Sequence, residues 1–434
     1  MVSAHRFAIY STLYAGVSLA QKGLIMLLML WLARELPTEE YASFGLLYAV
    51  QTGFAVLAMA GIVEQVVAQR HNEPVTGAAT FGSHGPQRRL FIIQTLGLAV
   101  VAIAAMAVLR SSSSYSLLQA LWALAGGGFT AFAMLRAGLA RLDHDHRTSL
   151  ILGAGVPAAG ALVAWLAVVW RPGNDAFFIG YTIGAGMALC LTQGRLRIGP
   201  MPFGRAPLGQ SLRRNYPYLV VGVTMWLSGY GNLWIVDQWF SSDIVAQYTL
   251  AFTLTSAVQI AVNAMNQVWS PRHYDLIRTL PSTIVENQCR RYYLLLGLVV
   301  SLAAIALFAA FPTALEIGGG NLSSYAVIRH GILWLCAGYA LSIPWWHAQN
   351  LFVAHGAGDS LMHTLNWSTA FGIVAWIAAM HLLGVPGLYM GYALMMGIRS
   401  LAVWWTAYRR WGTELRWEGT ALACLALLVC EMIA

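Results

Sequence analysis

Apolar runs of about twenty residues recur along this chain, parted by short stretches where charge, proline and glycine gather. A helix that crosses a bilayer needs about 20 mostly apolar residues, and these runs predict about twelve such spans. They lie near 8–33, 42–69, 90–109, 116–138, 149–170, 175–194, 215–236, 245–270, 291–312, 328–353, 363–383 and 386–408. A membrane β-barrel would show alternating segments of about ten residues instead, and none occur. The last apolar piece, ALACLALLVCEMIA, has about fourteen residues, short of a comfortable crossing. It predicts either an interfacial helix or a marginal thirteenth segment.

Composition agrees with an all-α polytopic membrane protein. Hydrophobic residues make up 58% and charged residues only 10%, against about 25% charged in soluble domains. The formal net charge of +8 does not point to nucleic acid, because the arginines sit between spans. With the N-terminus inside, about nineteen arginines fall on inner connections and about four (Arg34, Arg110, Arg171, Arg329) on outer ones. That bias places the N-terminus and the end of span twelve on the cytoplasmic side. The opening run is too long for a signal-peptide core and reads as a retained first span. Cys190, Cys289, Cys336, Cys424 and Cys430 have no metal-site spacing and read as structural thiols.

The longest basic connection without a span is RLRIGPMPFGRAPLGQSLRR (Arg195 to Arg214). It predicts a cytoplasmic linker, 195–214, between six-helix lobes at 1–194 and 215–410, followed by a tail at 411–434 that carries the short apolar segment. The two halves would then repeat in parallel about an axis along the membrane normal. A weak internal echo fits this: LPTEEYASFGLLYAV opens span two and FSSDIVAQYTLAFTL opens span eight. Each has a polar turn with an acid, an aromatic about five residues on, then an apolar run.

The stretch WLARELPTEEYASFGLLYAVQTGFAVLAMAGIVEQVVAQR resembles the first hairpin of the polysaccharide-transporter, or O-antigen flippase, family of the MOP (MATE-like) superfamily. NYPYLVVGVTMWLSGYGNLWIVDQWFSSDIVAQYTLAFTL and NQVWSPR are similar to that family's seventh and eighth spans. The chain departs from the pattern at Ala42 and Gln238, where the family usually carries glycine and a basic residue. The resemblance implies a flippase that moves a lipid-linked (polyprenyl-pyrophosphate) oligosaccharide from the cytoplasmic to the periplasmic leaflet of a bacterial inner membrane. It implies two six-helix lobes with alternating access, a monomer, and a polysaccharide polymerase or export complex as partner. No cofactor and no metal are expected.

The residues themselves offer candidates for a substrate cavity. Lys22, the single lysine, stands about fourteen residues into span one, roughly 21 Å deep. Arg399 stands about ten residues from the cytoplasmic end of span twelve, roughly 15 Å deep. A cation at such depth costs about 2.5–3.5 kcal/mol on insertion scales, so it usually faces a cavity or a partner. One in each lobe would suit a cleft that receives an anion from both walls, a pyrophosphate or an acidic sugar. The alternative is an internal salt bridge. Glu64 is the obvious partner for Lys22, but the depths differ by roughly 12 Å; it is a candidate for coupling to an ion or proton, or for a structural hydrogen bond.

In span eight Gln259, Asn263 and Asn266, with Gln267 less well placed, share one helical face. Such a stripe lines water or bonds neighbouring helices. In span ten Pro344 predicts a kink. Trp345 and Trp346 could stack on sugar faces or belong to an aromatic belt, and His347 reads as a buried hydrogen-bonded histidine or a proton carrier. There is no P-loop, Gly-x-Ser-x-Gly or His-Glu-x-x-His, and no loop long enough for a soluble catalytic domain. IGGGN and AGGGF follow no strand and are not phosphate cradles. The leading expectation is a transporter rather than an enzyme. An ion-coupled multidrug-type exporter would favour acidic cavity residues. A glycan polymerase or ligase would need a large, charged outer loop, which the chain lacks between about Phe311 and Val327. A scaffold has little reason to bury cations.

Overall fold

The computed structural model describes Gly16 and residues 23–63, 85–109, 115–142, 145–195, 208–279 and 282–433, apart from 356, 413 and 415. Every regular element among the described residues is helical. In chain order they are α1 (23–35), α2 (Thr38–Met59), α3 (Gly85–Leu109), α4 (Leu117–Leu142), α5 (Arg147–Trp170), α6 (Asn174–Arg195), α7 (Leu208–Leu227) and α8 (Leu233–Trp239). There follow α9 (Ser242–Thr279), α10 (Ser282–Gly318), α11 (Arg329–Leu341), α12 (Ile343–Ala354), α13 (Gly358–Leu383), α14 (Val385–Trp411) and α15 (Glu418–Ile433). Eight described helices are long and apolar enough to cross a membrane, nine if the bent pair α7–α8 is one span. The polar side chains of α9 and the arginine of α14 keep these two long helices out of that group, although both fall on expected spans.

Contacts divide the chain into two compact units. One is Leu36–Val245; the other joins Met1–Glu35 to Ala246–Ala434. Two bodies were expected, but their boundaries differ from the consecutive lobes 1–194 and 215–410. The described part of the first span groups with the later helices, and the seventh span with the earlier ones. The chain passes between units at 35/36 and 245/246, within the two turns that echo one another in sequence. In the first unit Thr38 Oγ1 donates to Asp243 Oδ1 at 2.6 Å, which ties those turns together.

In the Leu36–Val245 unit α2 is the core helix, buried without interruption from Tyr41 to Gln51. Asn174 at the head of α6 fastens it: its N–H donates to Glu40 Oε1 at 3.0 Å and its Nδ2 to Glu40 O at 3.0 Å and Ser43 Oγ at 2.8 Å. Phe44, Tyr48, Phe177, Phe178 and Tyr181 interlock behind this joint. The other end of α2 leaves free carbonyls. Asn215 Nδ2 takes that of Ala60 at 3.0 Å and also reaches Gln94 Oε1 at 2.7 Å. Ser116 and Gln119 start α4 with reciprocal bonds of 2.9 and 3.1 Å, a capping box. The seventh span was expected as one helix but bends by 61° at Ser228–Gly229, where a Ser-Gly pair lets the ladder break. Trp226 holds the bend against α2, donating from Nε1 to Ala49 O at 2.9 Å.

In the other unit α13 and α14 pack backbone to backbone. A Cβ on Gly387 would stand 1.9 Å from Ala379 O, so only glycine fits. The tail helix α15 resolves the question left by its length. It lies lengthwise along α10, with Gly297 and Gly419 face to face: a Cβ on Gly419 would stand 2.1 Å from Tyr293 O. Glu418 pairs with Arg290 at 3.3 Å near one end, and Glu431 with His330 at 3.2 Å near the other. Thr420, Ala423, Leu427 and Cys430 face inward. Thus the segment is an additional helix flanking a span, not one lying across its end.

Candidate functional site

The candidate site lies in the unit that holds α9–α15, around the start of α12. Pro344 sits in the first turn of that helix, where its missing N–H costs nothing. The break from α11 falls at Ser342, two residues before the proline. Ser342 Oγ donates to Tyr339 O at 2.8 Å and accepts from Trp346 Nε1 at 3.1 Å. The Trp345 N–H, one of the donors a helix start leaves open, is taken by Ser400 Oγ of α14 at 3.0 Å.

The residue before that serine is Arg399. Its side chain is only 3% exposed, and its guanidinium carbon stands 4.4 Å from the centre of the Trp345 ring. A desolvated cation–π pair is worth about 2 kcal/mol or more. Among the described residues, Arg399 is the one buried Asp, Glu, Lys or Arg. Trp345 and Trp346 are both buried and lie edge to face at 4.4 Å. They form a wall beside the cation rather than an interfacial belt.

The polar stripe of α9 bonds its neighbours at the one position where its side chains show contacts. Asn266 Oδ1 accepts from Asn350 Nδ2 of α12 at 2.9 Å and from Tyr292 OH of α10 at 3.4 Å. Ser270 Oγ donates to Asn350 Oδ1 at 2.9 Å. Gln259 is half-buried, and the side chain of Asn263 lies outside the described residues, as do Lys22 and Glu64. The described end of the first span groups with the unit that carries Arg399.

Deeper along α12, His347 is 3% exposed, and its Nδ1 finds no hydrogen-bond partner among the described residues. Its ring meets His273 of α9 at 4.8 Å and Tyr293 of α10 at 5.0 Å, while Trp269 stacks on both His273 and Tyr292. His273, Cys289 and His347 offer ligand atoms that all lie within 4.8 Å of one another. A search for short ligand spacings misses this trio, because each member comes from a different helix.

No family model and no curated protein sequence matches the chain. Solved structures do. The lipid II flippase MurJ in its inward closed conformation aligns over 97% of this chain and 92% of its own, at a TM-score of 0.67 and 10% identity. The eukaryotic MATE transporter AtDTX14 aligns over 98% and 99%, at 0.65 and 11%. An inward-facing multidrug resistance MATE family transporter of the MOP superfamily aligns over 94% and 98%, at 0.61 and 14%. The chain therefore shares the fold of these transporters and this flippase.

Proposed function

We propose that this chain is a flippase that carries a polyprenyl-pyrophosphate-linked oligosaccharide from the cytoplasmic to the periplasmic leaflet of a bacterial inner membrane. A multi-pass fold common to MATE transporters and to a lipid II flippase supports membrane transport by alternating access. The observation that carries the finer reading is Arg399, the one buried charged side chain among the described residues. Its guanidinium offers a planar fork suited to phosphate or carboxylate, beside tryptophan faces suited to sugar rings. Lys22 adds a second basic group in the same reading, with Gln259, Asn263 and Asn266 as hydroxyl partners for the glycan and Glu64 as the coupling group.

Export of cationic drugs is the second reading, because MATE transporters share the fold. A cationic cargo calls for an acid at depth, whereas the buried charge among the described residues is basic. The experiment places the purified chain in proteoliposomes with a fluorescent polyprenyl-pyrophosphate oligosaccharide on one leaflet, and in a parallel arm with a cationic dye. Translocation of the glycolipid and not the dye is expected; the opposite outcome overturns the proposal. In cells, Lys22→Ala and Arg399→Ala are each expected to leave an inserted protein that no longer exports glycan. Normal surface polysaccharide in both would remove the anion-cavity reading.

A further inference from the structure

His273, Cys289 and His347 are three buried residues whose ligand atoms lie within 4.8 Å of one another. They come from α9, α10 and α12, helices of the same unit. Each stands six or seven residues from the end of its helix (Thr279, Ser282 and Ala354), about 10 Å along the axis. We infer that His273, Cys289 and His347 form a binding site for a soft d10 cation, Cu⁺ in preference to Zn²⁺.

The donor set selects the cation class. Imidazole nitrogen and thiolate sulfur suit copper and zinc, whereas calcium and magnesium demand oxygen. Metal–nitrogen bonds of about 2.0 Å and metal–sulfur bonds of about 2.3 Å put donors around one ion at roughly 3.5–4 Å from each other. Closing the present separations to that range takes about 1 Å or less, within reach of small side-chain rotations. A second observation points the same way. His347 is 3% exposed, and its Nδ1 is without a hydrogen-bond partner among the described residues. A buried nitrogen left so is costly, and a cation held at that nitrogen would remove the cost.

Charge decides between the two cations. One thiolate and two neutral imidazoles around Cu⁺ give a complex of zero net charge; around Zn²⁺ the same ligands leave one positive charge in an apolar surround. No carboxylate among the described residues is buried to offset it, and Glu286, one turn before Cys289, is exposed. Binding converts the Cys289 thiol to thiolate, so one proton leaves for each cation bound. The bound ion would join α9, α10 and α12 just beyond the Trp345–Trp346 wall.

The test uses the full chain, purified with its affinity tag removed and stripped with chelator, in a background where Cys190, Cys336, Cys424 and Cys430 are replaced by serine. Cu⁺ is titrated against a chromophoric Cu⁺ chelator under reducing, anaerobic conditions, and Zn²⁺ against a zinc indicator. One Cu⁺ per chain, release of one proton and a raised melting temperature are expected, with Zn²⁺ held more weakly. Loss of an outer-shell partner alone costs about 10–100-fold in metal affinity. Cys289→Ser and the near-isosteric His347→Gln and His273→Gln are therefore each expected to cost at least about tenfold, at unchanged elution volume. Failure to hold either cation, or undiminished binding in a Cys289→Ser/His347→Gln double variant, overturns the site. Tighter binding of Zn²⁺ overturns the charge argument.

Discussion

Replacing Arg399 by methionine separates what this side chain does for the fold from what it does for cargo. The guanidinium is 3% exposed and lies 4.4 Å over Trp345, so its removal gives up a cation–π pair worth about 2 kcal/mol. The same change relieves the cost of holding a charge at that depth, about 2.5–3.5 kcal/mol on insertion scales. Methionine fills much of the same volume and adapts to irregular gaps. The two terms nearly cancel, and the melting temperature is expected to stay within a few degrees of the parent. Cargo binding has no such compensation. A hydrogen bond to a charged group contributes about 1.5–3 kcal/mol, which converts to about 10- to 150-fold in affinity. The assay is the initial flipping rate of a fluorescent polyprenyl-pyrophosphate oligosaccharide in proteoliposomes, below saturation, beside a thermal melt in detergent. Arg399→Lys keeps the charge but loses the planar fork and should fall between. A methionine variant that flips at the parental rate would refute the anion-binding role. One that melts far below the parent and is restored by lysine would refute the cancellation and make the arginine structural.

The packing offers further tests. Gly419→Ala would push a methyl against Tyr293 O, 2.1 Å from its ideal position; overpacking of this kind costs about 1–3 kcal/mol. Faster amide exchange along α15 is expected, with little change in Leu425→Ala on the exposed face of the same helix. Asn174→Asp sets a carboxylate oxygen against Glu40 O and Ser43 Oγ in place of two donated bonds. It should lower the melting temperature near neutral pH and recover part of the loss as the pH falls, because a proton taken up by the introduced carboxyl restores a donor facing Glu40 O. A melt series over pH in detergent reads this directly.

The apolar spans were legible because burial in lipid demands long apolar runs and leaves charge to the connections. The break near Pro344 was legible for the same kind of reason: a proline is a local departure from an apolar helix. The polar face of span eight was legible as a face, but a stripe reads alike whether it meets water or another helix. Only the positions of Asn350 and Tyr292 gave Asn266 its partners.

Which helices pack together was decided in three dimensions. Hydropathy ranks each span alone, so it assigned spans one and seven to their neighbours in sequence; contacts group the described end of span one with the later helices and span seven with the earlier ones. The tail helix needed Gly297 of α10 to admit its backbone, a fit no fourteen-residue window contains. His273, Cys289 and His347 are spread over more than seventy residues. Each alone resembles an ordinary core residue. Their joint chemistry exists only because α9, α10 and α12 bring these side chains within 4.8 Å of one another, and that approach is set by packing between helices, to which a one-dimensional pattern is blind.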